Sequence, residues 1–151
     1  LGVCNGFQML VRSGLLPGAL QHNERGHFEC RWVALQPSSQ LCVWTKGLDE
    51  PVRCPVAHGE GRYVAGNAVL EQLRSEDRVA FRYAANDYPD NPNGSVEAIA
   101  GVCDSTGLVL GMMPHPENHV TERQGRAMVT AQKRGHALPL FRNGVLAARA
   151  S

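Results

Sequence analysis

The sequence predicts an α/β fold, a layered sandwich around a largely parallel central sheet. The apolar residues 1–3 run into a tight glycine turn and then into a segment typical of a helix, the order expected of a central strand in such a sheet. Further along, strand-like segments alternate with a weakly helical one, and residues 95–113 are typical of an antiparallel hairpin. Because sites in open α/β sheets lie at the carboxyl ends of strands, we expect Cys4, which follows the first strand, to lie there.

The chain is long enough for one domain with a sizeable core. It has 151 residues, of which 43% are hydrophobic and 19% charged, a composition typical of globular proteins. The net charge is +1 and the basic residues are scattered, which argues against a nucleic-acid partner or a membrane-surface partner. Since the chain opens on Leu1 inside a predicted strand, we expect residues 1–151 to be the back part of a longer domain, with its N-terminal portion missing.

The cysteines are five in number, at irregular spacing and without a C-x-x-C pair. This pattern predicts reduced thiols in the cytoplasm, and argues against a disulfide framework or a zinc site. All but Cys4 stand in apolar or strand-like surroundings, and we expect these four to be small core residues. They are Cys30, Cys42, Cys54 and Cys103.

The first half of the chain alternates helix, turn and strand. Residues 6–13 are typical of a helix that stops at Gly14. Residues 15–18 form a turn, and residues 27–35 alternate in the manner of a strand with one buried face. Pro37 ends that strand, and residues 41–44 are a candidate for a second short one.

The second half contains strands, strong turn signals and weaker helical segments. We expect a strand at 55–58, which enters a loop with Gly59 and Gly61 around Glu60, and then a weak helix at 67–73. A strand at 78–84 and a turn at 88–94 follow. Residues 95–104 and 108–113 are expected to form a hairpin, and residues 121–134 are a polar, helix-compatible segment. Residues 135–151 show no clear pattern.

The opening Gly-x-Cys-x-Gly has the form of a nucleophile elbow with cysteine in place of serine. Gly2 and Gly6 flank Cys4 where the chain passes close to itself, so a Cβ at either position is expected to clash. Cys4 would lie at a helix N-terminus, which favours the thiolate. The backbone N–H of Asn5 would then point at a developing oxyanion.

A second chemical element follows the hairpin, in Pro114-His115-Pro116-Glu117. A proline disfavours the helical region for the residue before it, which predicts an extended segment. In an extended chain the side chains of His115 and Glu117 point the same way, as a base and its orienting carboxylate require. Together with Cys4 these residues predict a catalytic triad in which the imidazole takes and returns the thiol proton.

These motifs resemble those of the triad-type (class I) glutamine amidotransferases, whose fold is a flavodoxin-like three-layer sandwich. The residues around the cysteine are similar to those of one branch of that family, the glutaminase domains or subunits of phosphoribosylformylglycinamidine synthase. The segments that carry the resemblance are Gly2-Val3-Cys4-Asn5-Gly6-Phe7-Gln8, Leu15-Leu16-Pro17-Gly18, Pro55-Val56-Ala57-His58-Gly59-Glu60-Gly61 and Gly111-Met112-Met113-Pro114-His115-Pro116-Glu117. The resemblance runs to about residue 120, and we assign no role to the tail after Asn118.

The resemblance implies that glutamine is hydrolysed through a thioester on Cys4. The released ammonia would pass to an ATP-dependent synthetase of purine biosynthesis. No cofactor is expected in this domain, whereas ATP and Mg²⁺ are expected in the partner synthetase domain or subunit. By position, Asn5, Gln8, Asn23, Gly26 and Phe28 are expected to bind the substrate. His58 and Glu60 would face either the active site or the partner, or else belong to a glycine-hinged surface loop.

Three other functions stay open at this point. The same chemistry could supply ammonia to another acceptor, as in guanylate, cytidylate or carbamoyl-phosphate synthesis, although the sequence Asn5-Gly6-Phe7 argues against this. A cysteine peptidase or deglycase-like hydrolase on a related fold is the second, and the Pro-His-Pro-Glu element favours amidotransfer over it. The third, a non-catalytic interaction domain, fits poorly with an intact triad.

Overall fold

The computed structural model describes residues 1–121, 123–125 and 136–150, and it forms an α/β fold built on one mixed, curled sheet. The six strands of that sheet follow the order β1-β8-β7-β6-β3-β4, and β2 and β5 form a separate two-stranded sheet. The strands are β1 (Gly2–Val3), β2 (Ala19–Gln21), β3 (Glu29–Pro37), β4 (Val52–His58), β5 (Arg62–Val64), β6 (Val79–Tyr83), β7 (Ile99–Cys103) and β8 (Leu110–Met112). The helices are α1 (Asn5–Arg12), α2 (Asn67–Ser75) and α3 (Leu138–Ala150).

The expectation of a largely parallel sheet is not met by the described strands. Only β1 and β8 run parallel, whereas the other four pairings of this sheet are antiparallel. A parallel pair needs a long crossover, usually a helix, and the hairpin that joins β7 to β8 is far too short for one. The strand that leads into the elbow therefore has the expected parallel neighbour, but parallel pairing does not extend through the rest of the sheet.

The sheet curls until its two ends approach each other. β4 lies at the end of the strand order opposite β1, yet the backbone N–H of His115, which follows β8, donates to the Pro55 carbonyl of β4 at 2.8 Å. Trp32 of β3 packs edge-on against His119, which lies in the same segment after β8, with ring centroids 5.2 Å apart. The curl thus brings the ends of β1, β8 and β4 to one region of the molecule.

Two apolar clusters cover the two faces of the sheet. Neighbouring residues of β7 belong to different clusters, Ile99 to one and Ala100 to the other, as expected of side chains that alternate along a strand. The Ile99 cluster holds α1 and α2 through buried Phe7, Leu70 and Leu73. The Ala100 cluster holds α3 through Leu140 and Phe141.

Most of the predicted elements are present. The helix at 6–13, the strands at 27–35, 55–58 and 78–84, the weak helix at 67–73 and the hairpin are all confirmed within a few residues. The short strand expected at 41–44 is wrong, because this segment forms turns in which Trp44 Nε1 donates to the Leu108 carbonyl. Most of the helix-compatible segment 121–134 lies outside the described residues, and α3 forms where no pattern was evident.

The cysteines are free thiols, and three of the four expected in the core are buried: Cys42, Cys54 and Cys103. Cys30 is exposed, because its side chain lies on the outer face of β3. Among the described helices, none has the length and apolar character needed to cross a membrane.

Candidate active site

Cys4 occupies a strained turn between β1 and α1. Its φ of 51° and ψ of −107° lie outside the regions that non-glycine residues ordinarily adopt. The turn is held from the neighbouring strand, since Cys4 N–H donates to the Met112 carbonyl at 2.8 Å. The predicted strand–turn–helix is therefore confirmed, with the cysteine at the carboxyl end of a strand. Strain of this kind concentrates at functional sites.

The two glycines of the elbow have different environments. A Cβ on Gly2 would lie 2.5 Å from the Leu10 side chain and 2.8 Å from the Gly6 backbone, so only glycine fits there. A Cβ on Gly6 would meet nothing within 4 Å. The expected clash is therefore confirmed at Gly2 and wrong at Gly6, because Gly6 lies in the first turn of α1 and its Cβ position is open.

His115 and Glu117 lie beside this elbow. Val3 pairs with Met112, so the segment after β8 leaves the sheet next to Cys4. His115 Nδ1 and Glu117 Oε1 are 2.7 Å apart, the contact expected of a base and its orienting carboxylate. The reason is not the predicted extension, because Pro116–His119 forms a turn of 3₁₀ helix that begins at Pro116. This tight turn brings the carboxylate back onto the imidazole.

The hydrogen bond to Glu117 determines which imidazole nitrogen can act as a base. A carboxylate accepts hydrogen bonds, so Nδ1 of His115 carries the proton and Nε2 keeps its lone pair. Within the described residues, the buried Nε2 has no hydrogen-bond partner. The imidazole therefore offers an unused proton acceptor at the elbow.

The Cys4 thiol keeps its proton in this environment. Burial raises the pKa of Cys4 above its ordinary value, the Asn5 backbone N–H lowers it by a smaller amount, and the charge of Glu117 raises it further. The expectation that the thiolate is favoured is thus wrong: the N–H at the helix N-terminus does lower the pKa, but desolvation is the largest effect and the net pKa is raised. A thiol of this kind needs a base to become a nucleophile.

Gln8 connects the helix after the elbow to a second loop. Its side-chain Nε2 donates to the Glu60 carbonyl at 2.8 Å, so α1 and the turn between β4 and β5 are tied together. The amide remains partly buried beside the site. The predicted substrate contact of Gln8 therefore remains a prediction.

Asn23 anchors the loop that also contains Gly26 and Phe28. Its Nδ2 donates to the carbonyls of His27 and His58, both at 2.8 Å, and its Oδ1 accepts from His58 Nδ1 and from Gly61 N–H. An asparagine amide has two N–H donors and two lone pairs, so this side chain has no capacity left for a ligand. Gly26, with φ of 69°, closes the turn, and the Phe28 side chain is 67% exposed.

His58 is a buried residue whose role the sequence left open. It is 4% exposed, so the alternative of a surface loop is wrong for this residue, whereas the Glu60 side chain is 43% exposed. A Cβ on Gly61 would overlap the His58 ring at 2.2 Å, which explains the second glycine of the loop. Burial, and to a lesser degree the charge of His115, lower the pKa of His58 to about 4, so it is neutral near pH 7.

A further residue of this region is His119, for which the sequence indicated no function, since no role was assigned to the residues after Asn118. It is 3% exposed and donates from Nδ1 to the Arg53 carbonyl at 2.6 Å. No spacing or motif indicated it, because its partner lies on a strand far away in the sequence. The closure of the sheet alone brings the two together.

The fold and the site define a class of α/β proteins that carry a cysteine at a nucleophile elbow next to a histidine–glutamate pair. The chain belongs to the family of CobB/CobQ-like glutamine amidotransferase domains, which residues 1–146 match.

Two relatives extend the comparison. The chain is 37% identical over 175 aligned positions to phosphoribosylformylglycinamidine synthase subunit PurQ of Treponema denticola, with 96% of this chain and 65% of the relative covered. It also matches a chain in the structure of PurLQS from Thermotoga maritima, with a TM-score of 0.74 and 36% identity, covering 97% of this chain and 60% of that one. The chain thus spans somewhat less than two thirds of the length of both relatives.

Proposed function

We propose that this domain is the glutaminase of a phosphoribosylformylglycinamidine synthase. The observation that carries the proposal is the imidazole of His115, held by Glu117 through Nδ1 with its Nε2 free, at the elbow of Cys4. The two relatives, a synthase subunit and a chain of a PurLQS assembly, support the choice of this branch of the family.

The proposed reaction begins when His115 Nε2 takes the Cys4 proton as Sγ attacks the side-chain carbonyl carbon of glutamine. The new C–S bond leaves a negative charge on the carbonyl oxygen, and we assign its stabilisation to the Asn5 N–H. His115 then gives its proton to the departing nitrogen, so the C–N bond breaks and ammonia leaves. A water molecule, deprotonated by the same imidazole, cleaves the thioester to glutamate and restores the thiol.

The remaining assignments are also proposals. Ammonia passes to an ATP- and Mg²⁺-dependent synthetase that makes formylglycinamidine ribonucleotide in the cytoplasm, and this domain itself uses no cofactor. Glutamine contacts Gln8 and the backbone of the loop that contains Asn23, Gly26 and Phe28. The flavodoxin-like sandwich is retained as the architecture of the domain, supported by the parallel β1–β8 pair at the elbow.

The test compares two nitrogen sources in the natural full-length enzyme assembled with its synthetase. Cys4→Ala is expected to abolish glutamine-dependent synthesis and to leave ammonia-dependent synthesis intact, since only glutamine hydrolysis uses the thiol. His115→Ala should do nearly the same. Glu117→Ala removes an orienting group and not a proton carrier, so a smaller loss of about 10²-fold in kcat is expected.

The control is ammonia-dependent synthesis, measured for each variant in parallel. Retention of glutamine-dependent synthesis by Cys4→Ala would refute the proposal. Glutamine hydrolysis that supplies a different acceptor would retain the amidotransferase chemistry but reject the proposed synthase.

A further inference from the structure

We infer that His119 is a positioning residue of this site: its imidazole ties the turn that carries Glu117 to the free edge of β4, and so holds the carboxylate against His115. The inference rests on the proposed function, and it concerns a residue to which the sequence motifs assign no role.

Glu117 by itself has few contacts that hold it in place. Its side chain is 48% exposed, and among the described residues its carboxylate hydrogen bonds only to His115. The residue lies in the four-residue turn Pro116–His119, too short to be stable without packing. The position of the carboxylate therefore depends on what fixes this turn.

The turn that carries Glu117 is fixed at both ends to β4. His115 N–H donates to the Pro55 carbonyl at 2.8 Å, and His119 Nδ1 donates to the Arg53 carbonyl at 2.6 Å. Arg53 and Pro55 are alternate residues of a strand at the end of the sheet, so their carbonyls point to the same side, away from β3. The His119 side chain thus supplies the second donor to this edge, which none of the strands in the described part of the chain covers.

The His119 ring is packed on several sides. It meets the Trp32 ring edge-on at an interplanar angle of 87°, and a Cβ on Gly125 would lie 2.7 Å from its Nε2. Its own carbonyl accepts from Ala137 N–H at 2.7 Å. A ring enclosed in this way has one orientation, so the turn that it anchors has one position.

The experiment measures glutamine hydrolysis by the natural full-length enzyme with its synthetase. His119→Phe keeps a ring against Trp32 but removes the donor, and we expect kcat to fall about tenfold while KM changes less than about twofold. His119→Asn places an N–H donor where Nδ1 was and should retain most of the rate. Leu73→Ala is the control for a loss of stability alone, because it truncates a buried residue in α2. It should lower the melting temperature without lowering kcat.

A double-mutant cycle separates positioning from general stability. If His119 acts through Glu117, His119→Phe should change kcat less than about twofold in a Glu117→Ala background. The same tenfold loss in both backgrounds would overturn the inference, as would full activity of folded His119→Phe.

If His119→Phe does not fold, the comparison of His119→Asn with His119→Gln replaces it. Glutamine has one methylene more than asparagine, which moves the amide N–H away from the position of Nδ1. About fivefold higher kcat for asparagine is therefore expected, and equal rates would overturn the inference. A wild-type enzyme without glutaminase activity would instead refute the proposed function, so the two failures are distinguishable.

Discussion

At the scale of single residues, the site combines a strained cysteine with a thiol that stays protonated. The backbone of Cys4 lies at φ 51°, and burial raises its pKa. A protonated thiol does not react with stray electrophiles, and it becomes a nucleophile only when the imidazole accepts its proton. Reactivity is therefore expected to depend on a ligand that fits the site.

A labelling experiment tests this dependence. A glutamine-like electrophile, diazo-oxo-norleucine, should modify Cys4 selectively, because binding delivers it to the sulfur. Iodoacetamide, which has no such affinity, should modify the exposed Cys30 about fivefold faster than Cys4 at neutral pH. Mass spectrometry of peptides after short reaction times gives both rates. Faster iodoacetamide labelling of Cys4 would show that its thiol is ionised, contrary to the effect of its burial.

The catalytic candidates could be predicted from the sequence, but part of their physics could not. Cys4, His115 and Glu117 follow from two short motifs, and the His115–Glu117 contact is present. The thiol pKa has the opposite direction, because desolvation depends on atoms from segments far apart in the sequence. Asn23 presents a similar limit, since only the folded loop shows that its amide is fully occupied by His27, His58 and Gly61.

At the scale of elements, local pattern predicted strands and hairpins well and failed where distant contacts decide. Residues 95–113 contain their own turn chemistry, so the hairpin was predictable. Residues 41–44 have the composition of a strand but form turns, and the Val43 N–H donates to the distant Gly107 carbonyl at 3.0 Å. The sequence of α3 has no pattern that indicates a helix, because its packing depends on the distant Trp44. Gly144 of α3 lies so close to the Trp44 ring that an added Cβ would be 2.2 Å from it.

The elbow makes an element-scale prediction with a built-in control. Gly2→Ala should lower the free energy of unfolding by about 2 kcal/mol, because the new methyl overlaps the Gly6 backbone, which cannot move without shifting α1. Gly6→Ala faces open space in a helix, so it should be neutral or stabilising by up to ~1 kcal/mol. Urea denaturation of the two variants measures both values. Equal effects at the two positions would contradict the close approach of β1 to α1.

At the scale of the whole molecule, closure of the sheet assembles the site. Sequence alone favoured a parallel sheet, which would have placed β4 far from the elbow. The mixed sheet curls instead, and the end of β4 brings His58 within the electrostatic influence of His115. Which strands meet across the curl is decided by long-range pairing, and no local pattern in residues 52–58 or 114–119 reports it.

The burial of His58 makes the stability of the whole domain depend on pH. Its pKa is about 4 in the folded protein and ~6.5 in an unfolded chain, so the unfolded state binds the proton first as the pH falls. The stabilisation is complete above pH ~6.5 and is lost progressively down to about pH 4, a total of about 3 kcal/mol. His58→Asn keeps a donor toward Asn23 but cannot titrate, so its free energy of unfolding should fall less over this range. The difference between the two proteins, measured by urea denaturation between pH 7 and pH 4.5, cancels the titration of carboxylates that they share. Parallel curves would mean that the pKa of His58 is the same in the folded and unfolded states, and would contradict the effect of its burial beneath Gly61.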